Sequence, residues 1–145
     1  MQQSFSSSRA ARMSLSSPDV LVLGSGIAGL SAALGAAREG ASVIVATKST
    51  RPEGASTWWA QGGIAVARQN PEPFQRDIET ASSDTSDPAA VEVLTQHADA
   101  AVRDVLIDTL NVDFDAGGDG APYDYGREAA HSADRILHVD ASTGK

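Results

Sequence analysis

Val20-Leu21-Val22-Leu23-Gly24-Ser25-Gly26-Ile27-Ala28-Gly29 reads as a short apolar strand that runs straight into Gly-x-Gly-x-x-Gly and opens an alanine-rich helix. That order suits a dinucleotide. Gly24 allows a sharp turn off the strand, and Gly26 leaves no Cβ between the backbone and a pyrophosphate. Gly29 allows the helix to pack closely on the sheet, and the helix N-terminus turns N–H groups and a partial positive charge toward phosphate. Three glycines alone are a weak signal; the strand before and the helix after give them their meaning.

Working outward, Leu30, Ala33, Leu34 and Ala37 recur at helical spacing through Leu30 to Glu39, and Gly40 is a natural left-handed stop. Ser42-Val43-Ile44-Val45-Ala46 is short and β-branched, as buried parallel strands tend to be. Asp19 to Ala46 is therefore one βαβ unit with a right-handed crossover. NAD dehydrogenases carry an acid about 20 residues beyond the glycines to hold the ribose hydroxyls. Ala46-Thr47-Lys48-Ser49 stands there instead, which disfavours that class. The hydroxyls of Thr47 or Ser49 offer an alternative hold on a ribose, with Lys48 near a phosphate or simply solvated.

Composition bounds what the chain can be. Its 145 residues suffice for one core, and the net charge of −8, from nineteen acids and eleven bases, leaves no basic stripe for nucleic acid. The absence of cysteine excludes disulfides, iron–sulfur ligation and thiolate zinc sites within these residues. No apolar run approaches the roughly 20 residues of a membrane span. Residues 1–18 are serine-rich and carry Arg9 and Arg12 without an acid. They read as a disordered leader, with a transit-peptide composition as the alternative. Residues 19–145 then form the folded part.

Between Thr50 and Gly63 the chain reads as a ligand-hugging loop. Both tryptophans, Trp58 and Trp59, sit side by side in it, and on an extended segment they would point opposite ways. Gly62-Gly63 adds backbone without side chains. The next stretch, Pro71 to Leu110, is helical: a short helix over Pro73 to Ala81, then one started by Asp87 as N-cap with Pro88 following. Its apolar face is expected at Ala90, Leu94, Ala98, Ala101 and Val105, thickened by Val91, Val102 and Leu106, with Asp99 marking a break and Asn111 a left-handed stop. His97 reads as a surface or packed histidine. Asp113 to Gly120 has a superficial calcium-loop look, but Gly117 and Asp124 stand where that pattern needs an acid or amide and a glutamate, so no metal is assigned.

Three stretches together carry a resemblance: the glycine loop, Thr47-Lys48, and Gly54-Ala55-Ser56-Thr57-Trp58-Trp59-Ala60-Gln61-Gly62-Gly63. They resemble the L-aspartate oxidase family, within the succinate dehydrogenase and fumarate reductase flavoprotein superfamily. The likeness resumes at Val112-Asp113-Phe114-Asp115, Arg127-Glu128, His131-Ser132, Arg135-Ile136-Leu137-His138 and Asp140 to Gly144, so it covers about residues 19 to 145, only loosely through the helices. The family's second strand commonly ends in Ser/Thr-Lys, which accounts for the missing ribose acid.

The resemblance implies an α/β fold, the first part of a Rossmann-like FAD-binding domain made of the βαβ unit, the flavin loop and a helical segment, and incomplete at Lys145. It implies FAD held by Gly24, Ser25, Gly26, Ile27, Ala28, Gly29, Lys48 and Ser56 through Gly63. Covalently flavinylated relatives carry a histidine where Ser56 stands, so the flavin is expected to be non-covalent. The implied reaction is oxidation of L-aspartate to iminoaspartate, the first step of NAD biosynthesis, with oxygen or fumarate as acceptor, quinolinate synthase next in line, and a cytoplasmic location. Glu128 aligns with the family glutamate at the substrate amino group, whereas His131 and Arg135 read as structural. Where the family carries Gly-Gly after that glutamate, Ala129-Ala130 stand here, with strain expected if either position needs positive φ or a close approach to the flavin. The alternatives are a soluble fumarate reductase or succinate dehydrogenase-like flavoprotein, and a non-catalytic FAD-binding fragment.

Overall fold

The computed structural model describes residues 17–83, 85–140, 143 and 144, so the leader expected over residues 1–18 lies almost wholly outside the described residues. The chain divides into two compact units with the boundary between Ala55 and Ser56.

The first unit is the expected βαβ. Strand β1 (Val20–Leu23) pairs in parallel with β2 (Val43–Ala46), Val20 opposite Val43 and Leu23 opposite Ala46, and helix α1 (Ile27–Arg38) connects them. The helix begins three residues earlier than the apolar spacing alone suggests, because Gly26 takes the N-cap position in extended conformation. Gly40, at φ +86, makes the left-handed stop. Ahead of the strands, Asp19 accepts hydrogen bonds from the Ser42 hydroxyl and N–H at 2.7 and 2.8 Å. These bonds, the hydroxyl's foremost, hold the Asp19 carboxyl below the usual carboxylate range. The strands are less buried than their β-branched composition predicts: Leu21 and Leu23 are exposed, Leu23 at 78%. Alternation sends them to the face opposite Val20 and Val22.

The second unit contains a small antiparallel sheet in the order β3 (Ile64–Ala65), β5 (Ile136–Leu137), β4 (Tyr125–Gly126). Val66, Phe114 and Leu137 form its buried core, flanked by Ile64, Val102, Leu106, Ile107, Val112, Tyr123, Tyr125 and Val139. Helix α2 (Pro71–Ser82) is capped by Asn70, whose side chain accepts from the Glu72 N–H at 3.2 Å. Helix α3 (Pro88–Val102) is capped as expected by Asp87, which accepts from the Ala89 N–H at 2.9 Å.

Two expectations for α3 are corrected. Asp99 does not break the helix; its carboxylate accepts the Ala67 N–H at 2.8 Å, satisfying the end of the β3 segment. The inward face is as expected at Val91, which is buried, and at Ala98 and Val102, which are half-buried, but Ala90, Leu94 and Ala101 are exposed and Thr95, not expected there, is buried. Burial of Thr95 is tolerable because its hydroxyl donates to the Glu92 carbonyl, 3.2 Å away. After Val102 the helix loosens into a π-helical stretch, Arg103–Thr109, and Asn111 at φ +53 ends it. No described helix is long and apolar enough to cross a membrane.

Candidate functional site

In the first unit the glycines do separate jobs. Gly24 sits at φ +110 and donates its N–H to the Ala46 carbonyl at 2.8 Å, so the chain leaves β1 in a turn that only glycine adopts readily. At Gly29 a Cβ would run into the Gly24 carbonyl oxygen and lie 3.3 Å from Val22 Cγ1. The close helix-to-strand approach therefore excludes any side chain there. Helix α1 differs from α2 and α3 in having no side-chain cap, and unlike α2 it has no acid in its first turn. An N-terminus left in that state suits an external anion. Ser25 and Thr47 come together across the ends of β1 and β2, hydroxyl to hydroxyl at 3.0 Å. Lys48 follows directly and is exposed, as are Ile27 and Ala28. Ser49, by contrast, turns its hydroxyl to the Arg51 carbonyl at 2.8 Å.

In the second unit Ser56–Trp59 form a 3-10 turn, not the extended segment expected from the sequence. The two tryptophans still differ: Trp58 is half-buried and Trp59 is 65% exposed. Ser56, Ala60 and Gln61 are exposed and Thr57 is half-buried. Gly62 and Gly63 have φ of +79 and +110. At Gly63 a Cβ would collide with Ile136 and the Leu137 carbonyl, so this residue lets the loop lie directly on β5. At Gly62 the nearest atom to a Cβ would be Glu128 Oε1, at 3.3 Å.

Glu128 is exposed and begins a turn closed by the His131 N–H to the Glu128 carbonyl at 3.0 Å. Its neighbour Arg127 is engaged elsewhere, with Nε 2.7 Å from Asp134. Ala129 and Ala130 are exposed and neither has positive φ, so no left-handed backbone strain arises at these positions. Behind the turn Arg135, 2% exposed, donates to Asp77 on α2 at 2.9 Å and stacks on Phe74 at 4.9 Å. His131 meets the same phenyl ring edge-on. Both residues pack against Phe74. Burial alone would raise the Asp77 carboxyl, but the Ser132 N–H and hydroxyl, with the charges of Arg135 and His131, hold it below its ordinary value.

The structure thus brings Glu128 to Gly62 and Ser25 to Thr47, while Gly24–Gly29 with Lys48 and Ser56–Gly63 with Glu128 fall in different units. Two pairings escaped sequence reasoning. Asp77 with Arg135 joins residues 58 apart, and Asp115 with His138, 2.8 Å between Oδ2 and Nδ1, joins residues 23 apart. Periodicity carries no signal at such separations. The Asp115 pairing also explains the acidic turn that looked like a calcium loop: its carboxylate is committed to a histidine and a backbone N–H.

Residues 19–145 match the FAD binding domain family. The chain is 65% identical over 126 residues to an L-aspartate oxidase of Halobacterium salinarum, covering 87% of this chain and 24% of that protein. It is 39% identical over 132 residues to the L-aspartate oxidase of Vibrio cholerae, with the same coverages. Among solved structures, the apo Sdh1 complex of Mycobacterium smegmatis superposes with a TM-score of 0.79 at 30% identity, over 88% of this chain and 22% of that one. The chain spans about a quarter of the length of the curated relatives it matches.

Proposed function

The chain belongs to the FAD-binding domain family, and on that premise we propose that it binds FAD as one part of a flavoenzyme that oxidises L-aspartate to iminoaspartate. The uncapped start of α1 and the side-chain-free turn at Gly24 and Gly26 fit the pyrophosphate of a dinucleotide. Ser25 and Thr47 offer hydroxyls to its polar groups, and Lys48 offers a charge. Ser56 has no nitrogen with which to attach a flavin, so the cofactor is held without a covalent bond, with Thr57 through Gly63 lining it. FAD, when bound, supplies the acceptor for the hydride leaving the aspartate Cα.

The task left to this chain's own residues is orientation. Glu128 accepts hydrogen bonds from the substrate ammonium, a charge-assisted contact that fixes Cα. The observation that carries this reading is the approach of the Glu128 carboxylate to the bare backbone of Gly62. Oxygen or fumarate then takes the electrons, and iminoaspartate passes to quinolinate synthase in the cytoplasm. In the FAD-loaded chain, L-aspartate is expected to perturb the flavin absorption bands, and Glu128→Gln to abolish the perturbation. The likeness to the Sdh1 complex favours a second reading, a succinate or fumarate oxidoreductase. A perturbation by succinate or fumarate, and none by aspartate, would replace the first reading with it.

A further inference from the structure

Outside the residues assigned above, one cluster in the second unit joins His138, Asp115, Asp124 and Asp140. His138, just after β5, places Nδ1 2.8 Å from Asp115 Oδ2. A carboxylate only accepts, so Nδ1 carries the hydrogen. The Asp115 N–H donates to the His138 carbonyl at 2.9 Å, and the Asp124 N–H to the Asp115 carbonyl at 2.8 Å. The second ring nitrogen of His138 lies 3.9 Å from Asp124 Oδ2, and the ring edge faces Gly126 of β4. The histidine is thereby fixed on several sides.

The same Asp115 oxygen accepts the Asp140 N–H at 2.9 Å. Asp140 stands at φ +43, a left-handed conformation that an aspartate keeps only when its surroundings compensate. Beyond it, the Val139 N–H meets Thr143 Oγ1 at 3.4 Å, and the Gly144 N–H donates to the Ala60 carbonyl at 3.1 Å. A Cβ on Gly144 would run into the Thr57 carbonyl and lie 2.9 Å from the Ala60 nitrogen. Gly144 therefore sets bare backbone against the Trp58-Trp59 turn, at a place where no side chain fits.

We propose that His138 and Asp115 are positioning residues for the Ser56–Gly63 loop, holding the Asp140 turn so that Gly144 props Thr57 and Ala60. The propping stands on the geometry alone; its consequence for cofactor affinity rests on the reading that this loop lines FAD. Native-state hydrogen exchange on the unmodified chain tests the propping first. The Asp140 and Gly144 amides are expected to open together, as one unit. His138→Leu is expected to speed both by about tenfold while the core amide of Val66 stays protected, and His138→Asn, whose amide replaces Nδ1–H, to restore protection. Independent opening of the two amides in the unmodified chain overturns the proposal even if His138→Leu fails to fold. Unchanged Gly144 exchange in a folded His138→Leu chain, or failure of His138→Asn to rescue, overturns it equally. FAD titration is read separately, with about tenfold weaker binding expected for His138→Leu. Altered exchange with unaltered FAD affinity would leave the prop standing and remove the loop from the cofactor site.

Discussion

Glu128 reaches Gly62: its Oε1 lies 3.3 Å from the point where a Cβ on Gly62 would sit, and Gly62 is held at φ +79. Alanine at this position meets two penalties, a left-handed backbone and a carboxylate in its way. Gly62→Ala is expected to cost about 1 kcal/mol of stability in denaturant unfolding, and to weaken the flavin spectral response to aspartate by displacing Glu128. Glu128→Gln should remove the response while leaving stability within about 0.5 kcal/mol, since the side chain is exposed.

Ala129 and Ala130 lead to the opposite expectation. Neither has positive φ, so restoring the family's glycine at either position relieves no strain. Ala129→Gly is expected to be neutral or to destabilise by a few tenths of a kcal/mol through chain entropy. A gain of about 1 kcal/mol on thermal or chemical unfolding would show that the turn is strained after all.

Asp77 and Arg135 make a buried ion pair in the second unit. Removing the carboxylate leaves Arg135 buried without its counter-charge, so Asp77→Asn is expected to cost about 3 kcal/mol at neutral pH. The direction of its pH dependence follows from linkage. The Asp77 carboxyl is held below its ordinary value of 3.8 in the folded chain. Its contribution is therefore complete above that value and disappears as pH falls through the lower folded value. Asp19, lowered by Ser42, acts in the same direction in the first unit. Unfolding measured from neutral pH into acid should show the parent and Asp77→Asn chains converging.

Much of the first unit was legible because each of its signals is local. Leu30, Ala33, Leu34 and Ala37 mark a helix, Val43 to Val45 a strand, and Gly40 the stop between them, all within a short span. Asp87-Pro88 announced α3 for the same reason. The second unit is built from strands of two residues, too short to show alternation, and from pairs such as Asp115 with His138 that only the folded chain brings together. Thr95 was missed from the inward face of α3 because it looks polar in sequence, yet its hydroxyl is satisfied by the helix backbone. Asp99 was misread because a carboxylate suits a cap; here it serves the Ala67 N–H of another segment.

Gly29 is the sharpest test of the dinucleotide geometry in the first unit. A methyl group there must displace the Gly24 carbonyl or push α1 off β1. Gly29→Ala is expected to leave the second unit folded, seen by retained tyrosine and tryptophan signals, while distorting the turn at Gly24.

The central claim, that this chain holds FAD without a covalent bond, is most directly tested by titrating FAD into the purified 145-residue chain. Both tryptophans lie in the Ser56–Trp59 turn, so their emission reports on that turn as the cofactor binds. The account predicts saturable quenching at one FAD per chain, full release of the flavin on acid denaturation, and loss of binding in Gly29→Ala. A folded parent chain that leaves FAD free in solution, or a Gly29→Ala chain that binds it as tightly as the parent, would contradict it.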